Sequence, residues 1–420
     1  MKKLLSILLA LCLLLCGCQT AAPEETAQTV TYDWMAGEAP ESIKRTGVHC
    51  AGMNHSDYEV TADGTYFIYT HPEYHYGETA VSPVILYIDH GSDRVIKLCG
   101  RADCDHRTED CDAYIEGGLS IAWYDGYLYA LEYEGILYED CFLVRMDPDG
   151  TNRTVVFDVK KHAQENGYSY VSPDSYIDNG VCYFSYYGVG TGADGTAITG
   201  NWTYYYKLDG SMEEPVNMDE NSEMLRKAPL YSCGDIICCY CPDGGEKGSS
   251  YAWDPENATV TYLCDHPGEA GWFGREEAYY HKDGALRRLT YATGEEEILV
   301  EDGLEGDYYA TLFEDCIVVA QQGDTTDPNL YIYNWAFELV DTVTLDYRQY
   351  LFSTGEAIIA ETAERFILTD YSYGLPCYYI NKSELGTGNV EIHELDLTDL
   401  AEERQYFLEE FEDREWLDGN

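Results

Sequence analysis

Asp125-Gly126-Tyr127-Leu128-Tyr129-Ala130-Leu131 sets an Asx-Gly turn against a run of aromatic and apolar residues, and the same pairing recurs along the chain. Gly64-Thr65-Tyr66-Phe67-Ile68-Tyr69 follows Asp63, Gly180-Val181-Cys182-Tyr183-Phe184 follows Asn179, and Asp235-Ile236-Ile237-Cys238-Cys239-Tyr240 follows Gly234. Glu277-Ala278-Tyr279-Tyr280-His281, Asp315-Cys316-Ile317-Val318-Val319-Ala320 and Gly355-Glu356-Ala357-Ile358-Ile359-Ala360 complete seven starts, about 40 to 60 residues apart. After most of them comes a second strand with a turn, as in Leu143-Val144-Arg145-Met146-Asp147-Pro148-Asp149-Gly150. A third short strand closes the unit, as in Thr154-Val155-Val156-Phe157. Short strands joined by Asx-Gly turns at such a period are the signature of β-propeller blades. One such sheet cannot bury both faces alone, so the units must stack around a ring.

The fold expected is therefore all-β: a single propeller of about seven blades over residues 46–396, with six or eight as the neighbouring counts. A pair of β-sandwiches is the competing arrangement, since sandwiches also show many short strands. Thr398 to Trp416 departs from the strand pattern. Leu400, Phe407, Leu408 and Phe411 fall near helical spacing, and Asp399 with Glu402 can form a capping box, so 397–420 is expected as an acidic C-terminal helix and tail. The repeat pattern resembles propellers compared with the lipoprotein-receptor repeat domain and the propeller of the periplasmic Tol system. It lacks the Tyr-Trp-Thr-Asp signature of the former, so the resemblance implies architecture only.

The N-terminus carries a different signal. Met1-Lys2-Lys3 precedes an apolar run from Leu4 to Leu15 that ends in Leu15-Cys16-Gly17-Cys18. A run this short falls below the roughly 20 residues that span a bilayer and fits a signal-peptide core. The ending resembles a bacterial lipobox, which implies cleavage after residue 17, acylation of Cys18 and an extracytoplasmic, membrane-anchored chain. An ordinary signal peptide cut nearby is the alternative. Residues 18–45 begin with small, polar and acidic residues and are expected as a flexible tether.

The 420 residues include 77 acidic and 25 basic ones, a formal net charge of −52. Such a surface repels phosphate backbones, which excludes nucleic acid as a partner through counterion release. It suits cations, basic peptides or neutral ligands such as glycans. The 40 tyrosines and 45% hydrophobic residues supply a large core, so the acidity does not signal disorder.

One local constellation carries chemistry. Cys99-Gly100-Arg101-Ala102-Asp103-Cys104-Asp105-His106-Arg107-Thr108-Glu109-Asp110-Cys111 lies in the longest interval between starts, within a Cys-rich loop at 99–113. Three thiols and an imidazole suit tetrahedral Zn²⁺, with Cys99, Cys104, His106 and Cys111 as ligands. The spacing is not that of a zinc finger, and Cys104 and His106 stand close for chelating one ion. The alternative is a disulfide within the loop, its third cysteine pairing with a distant one such as Cys50, because extracytoplasmic thiols tend to oxidise. The lipobox, this Cys-x4-Cys-x-His-x4-Cys stretch and the repeat together resemble Cys-rich propeller lipoproteins of anaerobic gut Firmicutes. That resemblance implies kinship and no activity.

Other motifs dissolve on inspection. Gly188-Val189-Gly190-Thr191-Gly192 is followed by a strand rather than a helix, so it reads as a long hairpin loop and not a phosphate cradle. Asp147-Pro148-Asp149-Gly150-Thr151-Asn152 has Asp158 where a Ca²⁺ loop needs Glu, so it reads as a turn. Cys182, Cys238, Cys316 and Cys377 sit among strand residues as small core groups. No catalytic set and no organic cofactor site emerges. The expectation is a surface-tethered binding or scaffold module for a protein, peptide or glycan ligand. An extracellular polysaccharide-acting enzyme, with carboxylates in a propeller funnel, is the alternative.

Overall fold

The computed structural model describes residues 30–40, 58–69, 83–104, 106, 110–115, 120–134, 140–171, 175–178, 180–191, 197–218, 230–233, 236–242, 248–254, 259–265, 271–274, 276–321, 327–345, 358–370 and 375–401. Seven antiparallel sheets follow one another along the chain, six with four strands in sequence order and the third with five. They run over Tyr58–Lys97, Ser120–Asp158, Tyr170–Asn217, Leu230–Asp265, Gly271–Glu301, Tyr308–Thr344 and Ile358–Glu394, and are called sheets 1 to 7. The fold is the expected all-β propeller.

The tight hairpins explain why the units begin where they do. Asp125 and Gly126 join Ser120–Tyr124 to Tyr127–Glu134, with φ of 47° and 82°. Two consecutive positive φ angles make the hairpin turn whose twist matches the strands, a conformation open to Gly and tolerated by Asp. Asp283 and Gly284 repeat the device in sheet 5, with φ of 52° and 71°.

In sheets 2 and 6 the first strand is mostly buried and the fourth mostly exposed or half-buried. Tyr308–Leu312 opens sheet 6 almost wholly buried, whereas Glu295–Glu301 closes sheet 5 mostly exposed. The first strands of neighbouring sheets touch one another: Tyr58–Val60 meets Ser120–Tyr124, which meets Tyr176–Asp178, and Gly271–Phe273 meets Tyr308–Leu312. Ile358–Glu361 of sheet 7 returns to Tyr58–Val60 of sheet 1, so the first strands line the centre and the last sheet packs on the first. Buried side chains are shared across sheets 7, 1 and 2, across 2 and 3, across 4, 5 and 6, and across 6 and 7.

Three differences from the sequence expectation have physical causes. Each unit has at least four strands, not three, because the innermost strand is often too short to show alternation; Tyr176–Asp178 and Gly271–Phe273, three residues each, are examples. The seventh start lies one strand early. Ile358–Glu361 is the first strand of sheet 7, and the second is Arg365–Asp370, reached by a turn that Thr362 rather than Asx-Gly closes (Arg365 N donates to Thr362 Oγ1, 3.0 Å). Residues 32–39, assigned by composition to the tether, are docked on the ring: Trp34 is buried among residues of sheets 6 and 7. The lipobox, Cys18 and Cys50 lie outside the described residues, as does the C-terminal helix beyond residue 401; Thr398–Leu400 is a 3₁₀ turn.

An antiparallel meander sends successive connections to opposite strand ends. First-to-second and third-to-fourth connections therefore share one edge of the ring, here the turn edge. Second-to-third and sheet-to-sheet connections share the other, the loop edge. All seven first-to-second turns have two to four residues. On the loop edge run the helix Val159–Glu165 and the end of the long hairpin made by Val181–Thr191 and Ala197–Lys207. Gly188–Thr191, expected as part of a hairpin loop, is instead paired as strand with Ala197–Gly200, because the two strands of this hairpin run longer than the alternation suggests.

Candidate metal centre

The connection from sheet 1 to sheet 2 leaves the fourth strand, Arg94–Lys97, and wedges between the two sheets. One side is stitched to sheet 1: Ile85 N donates to Ala113 O at 2.7 Å, Ile115 N donates to Pro83 O at 2.9 Å, and Tyr114 bridges Val84. Ala113 and Ile115 are fully buried, in a core shared with Ile121, Leu128, Val144 and Met146 of sheet 2. The other side meets the Asp147–Arg153 turn of sheet 2. Arg153 donates to the Asp112 carbonyl at 2.7 Å and pairs with Glu132 at 2.8 Å. Gly150 packs so tightly there that a Cβ would stand 2.7 Å from Asp112 O. Thr151 N–H and Oγ donate to Asp149, closing this segment as the turn that the sequence implied.

Within the wedge, the ligand atoms of Cys99, Cys104, His106 and Cys111 all lie within 4.8 Å of one another. His106 Nδ1 is 3.3 Å from Cys111 Sγ. Four donors around Zn²⁺, with Zn–S about 2.3 Å, stand about 3.8 Å apart along each tetrahedral edge, so this donor set has the required size. The short Cys104-x-His106 spacing is accommodated by the backbone: His106 has φ 56°, in the left-handed region, within the bend that brings its ring to Cys111. Cys99, Cys104 and Cys111 are all free thiols.

The backbone is arranged for thiolates. The N–H of His106 donates to Cys104 Sγ at 3.4 Å, and the N–H of Ala113 donates to Cys111 Sγ at 3.4 Å. The N–H of Arg101 bonds Cys99 in the same i+2 relation. Burial raises the Cys99 thiol, but the N–H groups of Arg101 and Asp112 and the neighbouring thiols together hold it below the ordinary thiol range. Burial pushes Cys111 up to about 12. A set of this kind favours a cation that takes the charge of the sulfurs, since a bound metal inverts the local protonation logic. The sequence names the four ligands but not Arg153, which lies 41 residues from the carbonyl it holds. Nothing local marks that residue.

Other chemically active groups are placed in structure rather than at an open site. His281, its side chain closed to solvent, bonds Asp302 at 3.0 Å. Tyr308 and Tyr331 both donate to Asp327, at 2.7 and 2.9 Å. Glu361, on the first strand of sheet 7, is buried and meets Lys382 Nζ at 2.5 Å, with Asp315 2.6 Å from the same ammonium. Burial lowers Lys382, and the two carboxylates reverse this and raise it; burial raises Glu361. Cys182, Cys316 and Cys377 are buried free thiols, core residues as expected, and burial pushes the first two well up.

No family model matches the chain, and no curated protein matches it. Solved structures similar to it include TolB from Acinetobacter baumannii, at 15% identity over 68% of this chain and 64% of that one, with a TM-score of 0.35. The β-propeller domain of the Trilobed protease from Pyrococcus furiosus is 12% identical over 71% of this chain and 99% of that one, with a TM-score of 0.38. A prolyl endopeptidase is 11% identical over 84% of this chain and 51% of that one, with a TM-score of 0.49. The chain thus spans from about half to just under two thirds of TolB and of the endopeptidase.

Proposed function

We propose that this chain is a lipoprotein acylated at Cys18, held on the extracytoplasmic face of the cell membrane, and that it works there as a non-enzymatic binding module. Kinship with the Cys-rich propeller lipoproteins belongs to the same proposal. The observation that supports binding is that the loop edge carries the helix Val159–Glu165 and the end of a long two-stranded hairpin. Connections gathered at one rim of a rigid scaffold are where ligand contacts are built. Tyr170 and Tyr187 stack there, with ring centroids 4.7 Å apart, and Tyr170 is exposed, a flat amphipathic surface of the kind that contacts glycans and proteins. The net charge of −52 selects cationic or neutral ligands.

In the same reading, Cys99, Cys104, His106 and Cys111 hold a structural Zn²⁺. Three thiolates with one imidazole are a closed donor set that leaves no position for substrate. The three i+2 N–H groups aimed at sulfur support metal over a disulfide, which would use only two of the thiols and leave the imidazole without purpose.

A glycan array and an envelope-protein pull-down on the soluble mature chain test the binding role. Retention of one ligand class without turnover is expected. Glycan turnover that disappears on replacing acids of the central strands would replace this reading with a polysaccharide-acting enzyme.

A further inference from the structure

We infer that the ring is held with its turn edge toward the membrane, so that its loop edge faces outward. This rests on the lipid anchor proposed at Cys18. The chain enters the ring at Tyr32, and the partners that residues 34–37 find among the described residues lie on the turn edge. Trp34 Nε1 donates to Lys382 O at 2.8 Å, and Asn334 Nδ2 donates to Trp34 O at 3.2 Å. Ala336 N donates to Ala36 O at 2.9 Å. Gly37 lies against the Trp335 backbone so closely that a Cβ would stand 2.2 Å from its carbonyl carbon, and a Cβ on Gly386 would stand 3.1 Å from that of Trp34. Residues 334–338 and 382–391 are the third-to-fourth connections of sheets 6 and 7, which places the strap on that edge and no other.

Geometry then sets the orientation. The segment from Cys18 to Tyr32 reaches at most about 50 Å when fully extended, and about 20 Å as a flexible coil. The strap fixes its far end on the turn edge, so the turn edge stays close to the lipid. The loop edge is farther by the length of the strands, about 20 Å for six residues. The chain's negative charge opposes adsorption onto an anionic bilayer, so the ring stands on its strap and does not lie flat. A cationic or neutral partner arriving from outside the cell meets the helix Val159–Glu165 and the end of the long hairpin.

Sheet 5 offers a matched test. Its connection 282–284 lies on the loop edge and 291–294 on the turn edge, both reaching solvent. The same short epitope is inserted after Asp283 or after Thr293 in the full lipidated chain, which is reconstituted in vesicles of phosphatidylcholine with anionic phosphatidylglycerol. Binding of one Fab is compared with that to the corresponding Cys18→Ser chain free in solution. We expect vesicles to weaken Fab binding at the 293 site at least about tenfold, because a coil of about 20 Å mean span keeps that edge near the bilayer most of the time. Binding at the 283 site should be unchanged. Equal access at the two sites, or the reverse order, overturns the orientation while leaving the anchor intact. If Cys18→Ser floats with vesicles as the untagged wild-type chain does, the anchor fails, and the orientation with it.

Discussion

On one side of sheet 1, the chain leaving its fourth strand wedges against the Asp147–Arg153 turn of sheet 2. On the other side, the chain leaving sheet 7 wedges against the His90–Arg94 turn of sheet 1. There Asp396 N donates to Asp93 O and Val95 N donates to Asp396 O, both at 2.9 Å, with a parallel bridge between Arg94 and Asp396. The two wedges occupy equivalent places in successive sheets. The first encloses three thiols and an imidazole. The second buries Leu395, Leu397 and Leu400 and adds charge: Arg94 pairs with Asp399 at 2.7 Å, and Arg365 pairs with Asp93 while lying 4.6 Å over the Tyr379 ring. A long polar insertion has no core of its own and needs an internal tie. The short C-terminal segment can borrow its order from the backbone of sheet 1. The comparison predicts one junction sensitive to chelators and another sensitive to salt and acid.

The largest expected effect lies at the first junction. Cys111→Ser or chelation should lower the melting temperature by more than about 10 °C, as apparent Zn²⁺ binding contributes about 10 kcal/mol or more in small metal-ordered domains. Calorimetry with and without chelator checks this, and an unmoved transition would place the stability of the wedge in its apolar contacts. Next, Arg365→Met removes a mostly buried guanidinium from both Asp93 and Tyr379. A loss of about 1–2 kcal/mol is expected, read by denaturant unfolding. Chelator should not change that loss, since the two junctions are separate.

Acid gives a further contrast. The Thr398 hydroxyl and N–H bond the Asp396 carboxylate and hold it below the usual carboxylate range. A depressed folded value contributes stability above the unfolded value and loses it as pH falls through the folded one. Amide exchange at Val95 should therefore speed up as pH falls below the ordinary Asp range, after correction for intrinsic rates. The smallest effect belongs to Arg94→Ala. Its partner Asp399 is partly exposed and Arg94 itself half exposed, so a shift of the unfolding midpoint at the edge of detection is expected, vanishing in high salt.

Much of this was legible in the sequence, because Asx-Gly hairpins advertise themselves through residues that tolerate positive φ. The seven units and the four donors of the wedge were read from pattern alone. What escaped was non-local. The inner strands are too short to alternate, Arg153 acts across 41 residues, and the strap at residues 32–39 looked like tether because one buried Trp34 is set among small and acidic neighbours. The Cys104-x-His106 spacing counted against a common ion until the left-handed backbone of His106 showed how the ring reaches Cys111.

The most direct test of the account is the metal content of the full chain purified without chelator, with its thiols counted by mass after alkylation. One zinc per chain is predicted, lost in Cys111→Ser, with Cys99, Cys104 and Cys111 unbridged and protected until zinc is removed. A metal-free chain in which two of those three cysteines form a disulfide would contradict it.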